Sequence, residues 1–216
     1  MKHEPTLFLI TGRRRAGKDT FARNISRAIY DAWPDVATAE MTVKYAFAQP
    51  IKDVAKVIFN WSDDYIENGK ETVDERFGLS PRQFMQSFGT DFMRNYLRQT
   101  YSEYADKTGD RIWTKTAENY IRSHLEQGYN VTVPDVRFPN EMELATVFYY
   151  EGYKIITIGV VDVTRSQGVD NHESEQYADD LVNVCDYIVY NNMMETDFFM
   201  KTNNILMEMT FGRKKE

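Results

Sequence analysis

Residues 6–32 read TLFLITGRRRAGKDTFARNISRAIYDA, and this stretch decides the fold. It opens with a short apolar run that stops at a glycine, the pattern of a parallel strand buried on both faces. From Lys18 onward, Phe21, Ile25, Ala28 and Ile29 fall on one stripe at helical spacing, which predicts a helix closed by Trp33-Pro34. Between strand and helix, residues 12–18 match the spacing G-x-x-x-x-G-K. Glycines let the backbone curl so that successive N–H groups converge on one anion. The helix amino end adds positive potential, and Lys18 adds a point charge. The expected ligand is a phosphate group. Two glycines and a lysine at fixed spacing arise by accident in only about a few per cent of chains of this length, and the flanking strand and helix reduce that further.

Two features of the loop bear on its chemistry. Asp19 stands where the strict pattern has Ser or Thr, and the hydroxyl comes one position later at Thr20, so either residue is a candidate for organising a magnesium ion. Three adjacent arginines are usually a solvated turn. Inside such a loop, at least one of Arg13, Arg14 and Arg15 is expected to face phosphate.

Outward from the loop, residues 42–48 read as a second strand, and Pro50 opens a helix with Ile51, Val54, Ala55 and Ile58 on one face. Residues 61–79 are polar and irregular. Pro81 begins another helix that carries Phe84, Phe88, Phe92 and Met93, and residues 113–125 form a further one. After Gly128 strands return. Residues 130–133 are short and β-branched and end at Pro134-Asp135, residues 140–150 are helical, and residues 154–161 (KIITIGVV) form a buried strand. A polar irregular stretch over 162–178 precedes a last strand at 186–190 and a closing helix at 195–209. Strands alternating with helices predict an α/β domain with a parallel sheet, the irregular stretches capping its carboxyl edge, where ligands bind.

Length and composition agree with one domain over residues 1–216: 42% hydrophobic residues suffice for a core. A formal charge of -7 gives no attraction to polyphosphate, so a nucleic-acid polymer is a disfavoured partner. Cys185 is the only cysteine, which excludes an internal disulfide and a cysteine-built zinc site and suits a reducing compartment, the cytoplasm. The first apolar run is too brief for a signal-peptide core or a membrane span, so a soluble protein with no membrane partner is expected.

A second candidate site lies at residues 131–137, VTVPDVR, where an acid and an arginine follow a buried strand on the edge expected for the phosphate loop. Asp135 can hold a magnesium-bound water or an acceptor, and Arg137 can grip phosphate through two parallel N–H bonds. The alternative is an ordinary ion pair at a helix start, with Asn140 and Glu141 serving only as a cap.

Seven segments, GRRRAGKDT from Gly12, FAQPIKDVA from Phe47, PRQFMQSFGTDFMRN from Pro81, WTK from Trp113, VPDVRFPNEMELA from Val133, HESE from His172 and VYNN from Val189, occur in an order that resembles the deoxynucleoside monophosphate kinases of tailed bacteriophages. The resemblance covers most of the chain. It implies a three-layer P-loop NTPase fold on a five-stranded parallel sheet, with a helical acceptor-binding insertion at about 50–127 and a lid at about 162–175. It implies ATP and Mg2+ as cofactors and a deoxynucleoside monophosphate as substrate, in a host cytoplasm. Carried over by position, Gly12, Arg14, Ala16, Gly17, Lys18, Asp19 and Thr20 hold ATP, with Asp19 and Thr20 toward the metal. Lys52, Arg82, Gln86, Thr90, Trp113, Asp135 and Arg137 hold the acceptor. Lys18, Arg137 and the lid residue Arg165 are the catalytic cations.

From the residues themselves, Arg82 and Gln86 sit one helical turn apart and share a face, as a phosphate clamp beside a base reader would. Trp113 is either a stacking platform or packing, and Lys52 alone reads as a surface charge. The lid sequence departs from the family pattern at Asp162, where a basic residue is expected, and His172 suits a loop-ordering hydrogen bond better than a metal site. Competing readings are a P-loop kinase of another small phosphate ester, of the phosphomevalonate or dephosphocoenzyme A type, and a nucleotide-dependent switch. The switch would need a guanine-reading Asn-Lys-x-Asp loop, which the sequence does not contain. Base choice, ribose exclusion and a homodimer stay open.

Overall fold

The computed structural model describes residues 4–32, 42–164, 177–192 and 194–211. Five strands form one all-parallel sheet in the order β2-β3-β1-β4-β5, with β1 at Thr6–Thr11, β2 at Thr42–Lys44, β3 at Asn130–Val136, β4 at Lys154–Asp162 and β5 at Tyr187–Asn191. Helices flank it, as the alternating pattern predicts. The chain divides into two compact units, residues 1–45 with 118–216, and residues 46–117.

In the first unit, every residue of β1 is buried, as its apolar run requires. Helix α1 (Lys18–Ala32) turns the predicted stripe inward: Phe21, Ile25, Ala28 and Ile29 are all buried. Phe8 and Ile10 of β1 join Ile156, Ile158 and Val160 of β4 and Phe21, Ile25 and Ile29 of α1 in one cluster. Each such side chain contributes about 1.5–3 kcal/mol by leaving water. The residues between them, Leu7, Leu9, Val131 and Val133, are equally buried, which is why β1 and β3 lack the alternation of a half-exposed strand.

Strand β3 is longer than its sequence suggests, because it passes through Pro134. The register explains how: Leu9 pairs with Val133 but Thr11 pairs with Val136, so β3 holds one extra residue at this point. A bulge tolerates the missing proline N–H and re-aims the side chain beside it, here Asp135. The segment expected as one helix over 140–150 is α8 (Pro139–Met142) and α9 (Leu144–Tyr150).

The second unit holds α2 (Gln49–Phe59), α3 (Asp63–Asn68), α4 (Pro81–Gln86), a π-helical segment (Ser87–Tyr96), α5 (Leu97–Thr100), α6 (Ser102–Lys107) and the first half of α7 (Ile112–Glu126). Residues 61–79 are more ordered than their polarity predicts. Ser62 caps α3 by accepting the Tyr65 N–H at 3.1 Å, and Asp74 and Leu79 form an antiparallel bridge. Ile58, expected on the buried face of α2, is 57% exposed. Phe84, Phe88, Phe92 and Tyr96 stack in a column with centroids 5.3, 5.9 and 5.6 Å apart. The Trp113 indole N–H donates to the carbonyl of Gly89 at 3.1 Å. A donor inserted in this way is a known cause of departure from α geometry.

Candidate active site

Two connections place the phosphate loop. Gly12 takes φ 141°, and a Cβ there would lie 2.2 Å from the Val160 carbonyl oxygen, so only glycine lets the chain leave β1 this close to β4. Gly17 takes φ 101°, and a Cβ there would lie 2.5 Å from Asn191 Nδ2. Arg15, between them, is left-handed at φ 63°. A non-glycine residue held there stores strain, a recurrent feature of ligand-cradling backbone. Lys18 is 8% exposed, and its ammonium donates to the carbonyls of Gly12 at 2.6 Å and Arg13 at 2.7 Å. The lysine therefore spans the loop, and its charge is satisfied by backbone dipoles that an anion can replace.

The three arginines separate. Arg13 makes a two-pronged pair with Asp179, at the start of α10 (Ala178–Asn183), with its Nε–H and Nη2–H donating at 2.9 and 2.6 Å. The guanidinium holds the Asp179 carboxyl below its ordinary range. Arg14 and Arg15 are exposed. Ala16 is buried, and its carbonyl accepts the Asn191 Nδ2–H at 2.9 Å. Asp19, in the first turn of α1, pairs with Lys44 at the end of β2 at 2.6 Å, and the Thr20 hydroxyl lies 3.4 Å from Arg23. Among the described residues, no group of three or more His, Cys, Asp or Glu could hold a metal. This donor set fits a magnesium ion held mainly by phosphate oxygens and water, with one carboxylate or hydroxyl from the chain.

Strand β3 brings the second group alongside. Thr11 pairs with Val136, and its hydroxyl donates to the Val136 carbonyl at 3.0 Å, so the loop and the Asp135-Val136-Arg137 stretch leave neighbouring strands at one edge. In this strand order, β1 and β3 bound the point where the chain reverses direction across the sheet, the position where open α/β sheets bind ligands. Arg137 is exposed, while Asp135 is partly buried. Glu141, 4% exposed, accepts the backbone N–H of Arg137 at 2.7 Å and of Phe138 at 3.1 Å, so it is the cap that its position suggested.

Tyr45 was not singled out by its sequence. Its backbone N–H donates to Thr132 at 2.9 Å, prolonging the β2–β3 ladder, and its ring packs against Tyr120. Burial raises its phenol pKa far above the ordinary value, and the negative charge of Asp135 raises it further, so the hydroxyl stays protonated beside that carboxylate.

In the second unit, Lys52 pairs with Glu67, and Arg82 pairs with Glu71. Arg82, Gln86 and Thr90 are exposed, whereas Trp113 is 7% exposed and committed to Gly89. Arg165, His172, Ser174, Glu175 and most of the expected lid lie outside the described residues. No described helix is long and apolar enough to cross a membrane.

No protein-family model matches the chain. It is similar to a protein of Acanthamoeba polyphaga mimivirus provisionally named a deoxynucleotide monophosphate kinase. The two are 29% identical over 171 residues, which cover 73% of this chain and 79% of that protein.

Proposed function

We propose that the chain transfers the terminal phosphoryl group of ATP to a deoxynucleoside monophosphate, giving ADP and a deoxynucleoside diphosphate. The observation that carries this reading is the juxtaposition of β1 and β3, which sets a glycine-bounded anion loop beside an acid and an exposed arginine at one sheet edge. The similarity to a viral protein provisionally named as such a kinase supports the acceptor class.

The chemistry asks little covalent work of the protein. An acceptor phosphate oxygen forms a bond to the γ-phosphorus as the bond from that phosphorus to ADP breaks, and no general base is required. Alignment and charge neutralisation dominate. Lys18 exchanges the Gly12 and Arg13 carbonyls for phosphate oxygens, and Arg137 holds the acceptor phosphate through its planar fork. Asp135 orients the acceptor beside Arg137; within the unit of residues 46–117, Lys52, Arg82, Gln86 and Thr90 are the acceptor-binding candidates, and Trp113 acts indirectly by fixing Gly89, next to Thr90. Magnesium, held with the help of Asp19 or Thr20, would neutralise phosphate charge.

The test is incubation with ATP, magnesium and, separately, each common deoxy- and ribonucleoside monophosphate, with the products resolved. Acceptor-dependent formation of deoxynucleoside diphosphate supports the reading. Transfer to non-nucleotide phosphate esters alone, or ATP consumption indifferent to acceptor, would overturn it.

A further inference from the structure

A group of charges in the unit of residues 46–117 links acceptor-site candidates to residues so far without a role. Glu67, in the last turn of α3, meets Lys52 through one carboxylate oxygen and Lys70 through the other, the latter at 3.2 Å. Glu71 takes the Arg82 guanidinium, while the Arg82 backbone N–H donates to the Lys70 carbonyl at 3.0 Å. The turn over residues 67–71 thus ties a lysine of α2 to an arginine of α4 and adds a third cation between them. The Lys52 side chain is only 17% exposed, and its ammonium holds the Glu67 carboxyl below the ordinary range. Glu71 is 71% exposed, so water can take this carboxylate back at little cost.

We propose that Lys52, Lys70 and Arg82 form one site for a phosphate monoester dianion, with Glu67 and Glu71 as built-in counter-anions that the incoming phosphate displaces. This rests on the phosphoryl-transfer reading for the identity of the phosphate, the acceptor's own, and adds Lys70 as a binding cation. Three cations against two carboxylates leave one positive charge. Displacing both carboxylates removes two negative charges: a neutral nucleoside or a monoanion returns fewer, whereas a phosphate dianion returns both and offers three acceptor oxygens to the three cations. The counter-anions thereby set specificity for a phosphorylated acceptor.

The experiment is calorimetric titration of the full chain with each of the four common deoxynucleoside monophosphates and with inorganic phosphate. It compares wild type with Lys70→Met, Lys70→Arg and Glu71→Gln. Loss of a charged hydrogen bond in Lys70→Met is expected to weaken phosphate binding about tenfold, with Lys70→Arg close to wild type. Removing an exposed competing charge in Glu71→Gln is expected to tighten binding about threefold. Unchanged affinity in Lys70→Met, weaker binding in Glu71→Gln, or no binding of any phosphate probe would overturn the site. If phosphate binds in a Lys70-dependent way but no phosphoryl transfer occurs, the site stands and the kinase reading fails. If transfer occurs while Lys70→Met and Glu71→Gln bind as wild type, the site fails and the kinase reading stands.

Discussion

Asn191, the last residue of β5, donates its side-chain N–H to the carbonyl of Ala16 at 2.9 Å and so braces the phosphate loop from a residue 175 positions away. Both partners are buried. Asn191→Ala should cost about 1–3 kcal/mol, the penalty for leaving a buried carbonyl unsatisfied. It should also weaken ATP binding, because the loop loses its preorganised shape. Chemical denaturation and nucleotide titration read the two effects separately. Loss of stability with unchanged ATP affinity would confine Asn191 to the fold.

Lys18→Ala removes the ammonium that spans the loop. Turnover should fall about a hundredfold or more, the usual cost of one charge-stabilising contact at a transferring group. Stability should fall by about 1–3 kcal/mol, since one buried and one part-buried carbonyl lose their donor. A Lys18→Ala protein with wild-type turnover would remove the loop from the chemistry.

Arg137→Lys keeps the charge and loses the planar fork. The acceptor KM should rise while ATP binding stays close to wild type, because Arg137 leaves β3 and the ATP loop leaves β1. Steady-state kinetics with each substrate varied in turn separates the cases. Equal weakening of both substrates would assign Arg137 to the ATP side.

The Arg13 and Asp179 pair predicts a dependence on pH. The Asp179 carboxyl titrates lower in the fold than in the unfolded chain. Its contribution to stability is therefore complete above about pH 4, the ordinary aspartate value, and is lost as pH falls through the folded value. Both side chains are partly exposed, so the effect is small. Unfolding curves of wild type and Asp179→Asn should differ at neutral pH and converge in acid. A difference that persists once the carboxyl is protonated in the fold would point to a cause other than the ion pair.

The turn from β1 into α1 was legible because its signals are local: glycine spacing, a following lysine, an apolar strand before and a helical stripe after all lie within residues 6–32. The α1 stripe is buried as its periodicity required. What could not be read depends on residues far apart in the chain. Asn191, Lys44 and Asp179 reach the loop or the first turn of α1 only through the sheet order, and nothing in their own neighbourhoods marks them. Pro134 looked like the end of a strand because a proline cannot donate, yet the extra residue in the β3 register absorbs it. Residues 61–79 looked irregular because polarity hides a short capped helix and a bridge between Asp74 and Leu79.

Phosphoryl transfer to a deoxynucleoside monophosphate is tested most directly by following the label from ATP carrying a radioactive γ-phosphate, with magnesium and each of the four common deoxynucleoside monophosphates. The proposed reaction predicts that the label appears in the β-phosphate of the deoxynucleoside diphosphate, in equal amount to the ADP formed and only when the acceptor is present. Label released as inorganic phosphate, or retained in ATP with every acceptor, would contradict it.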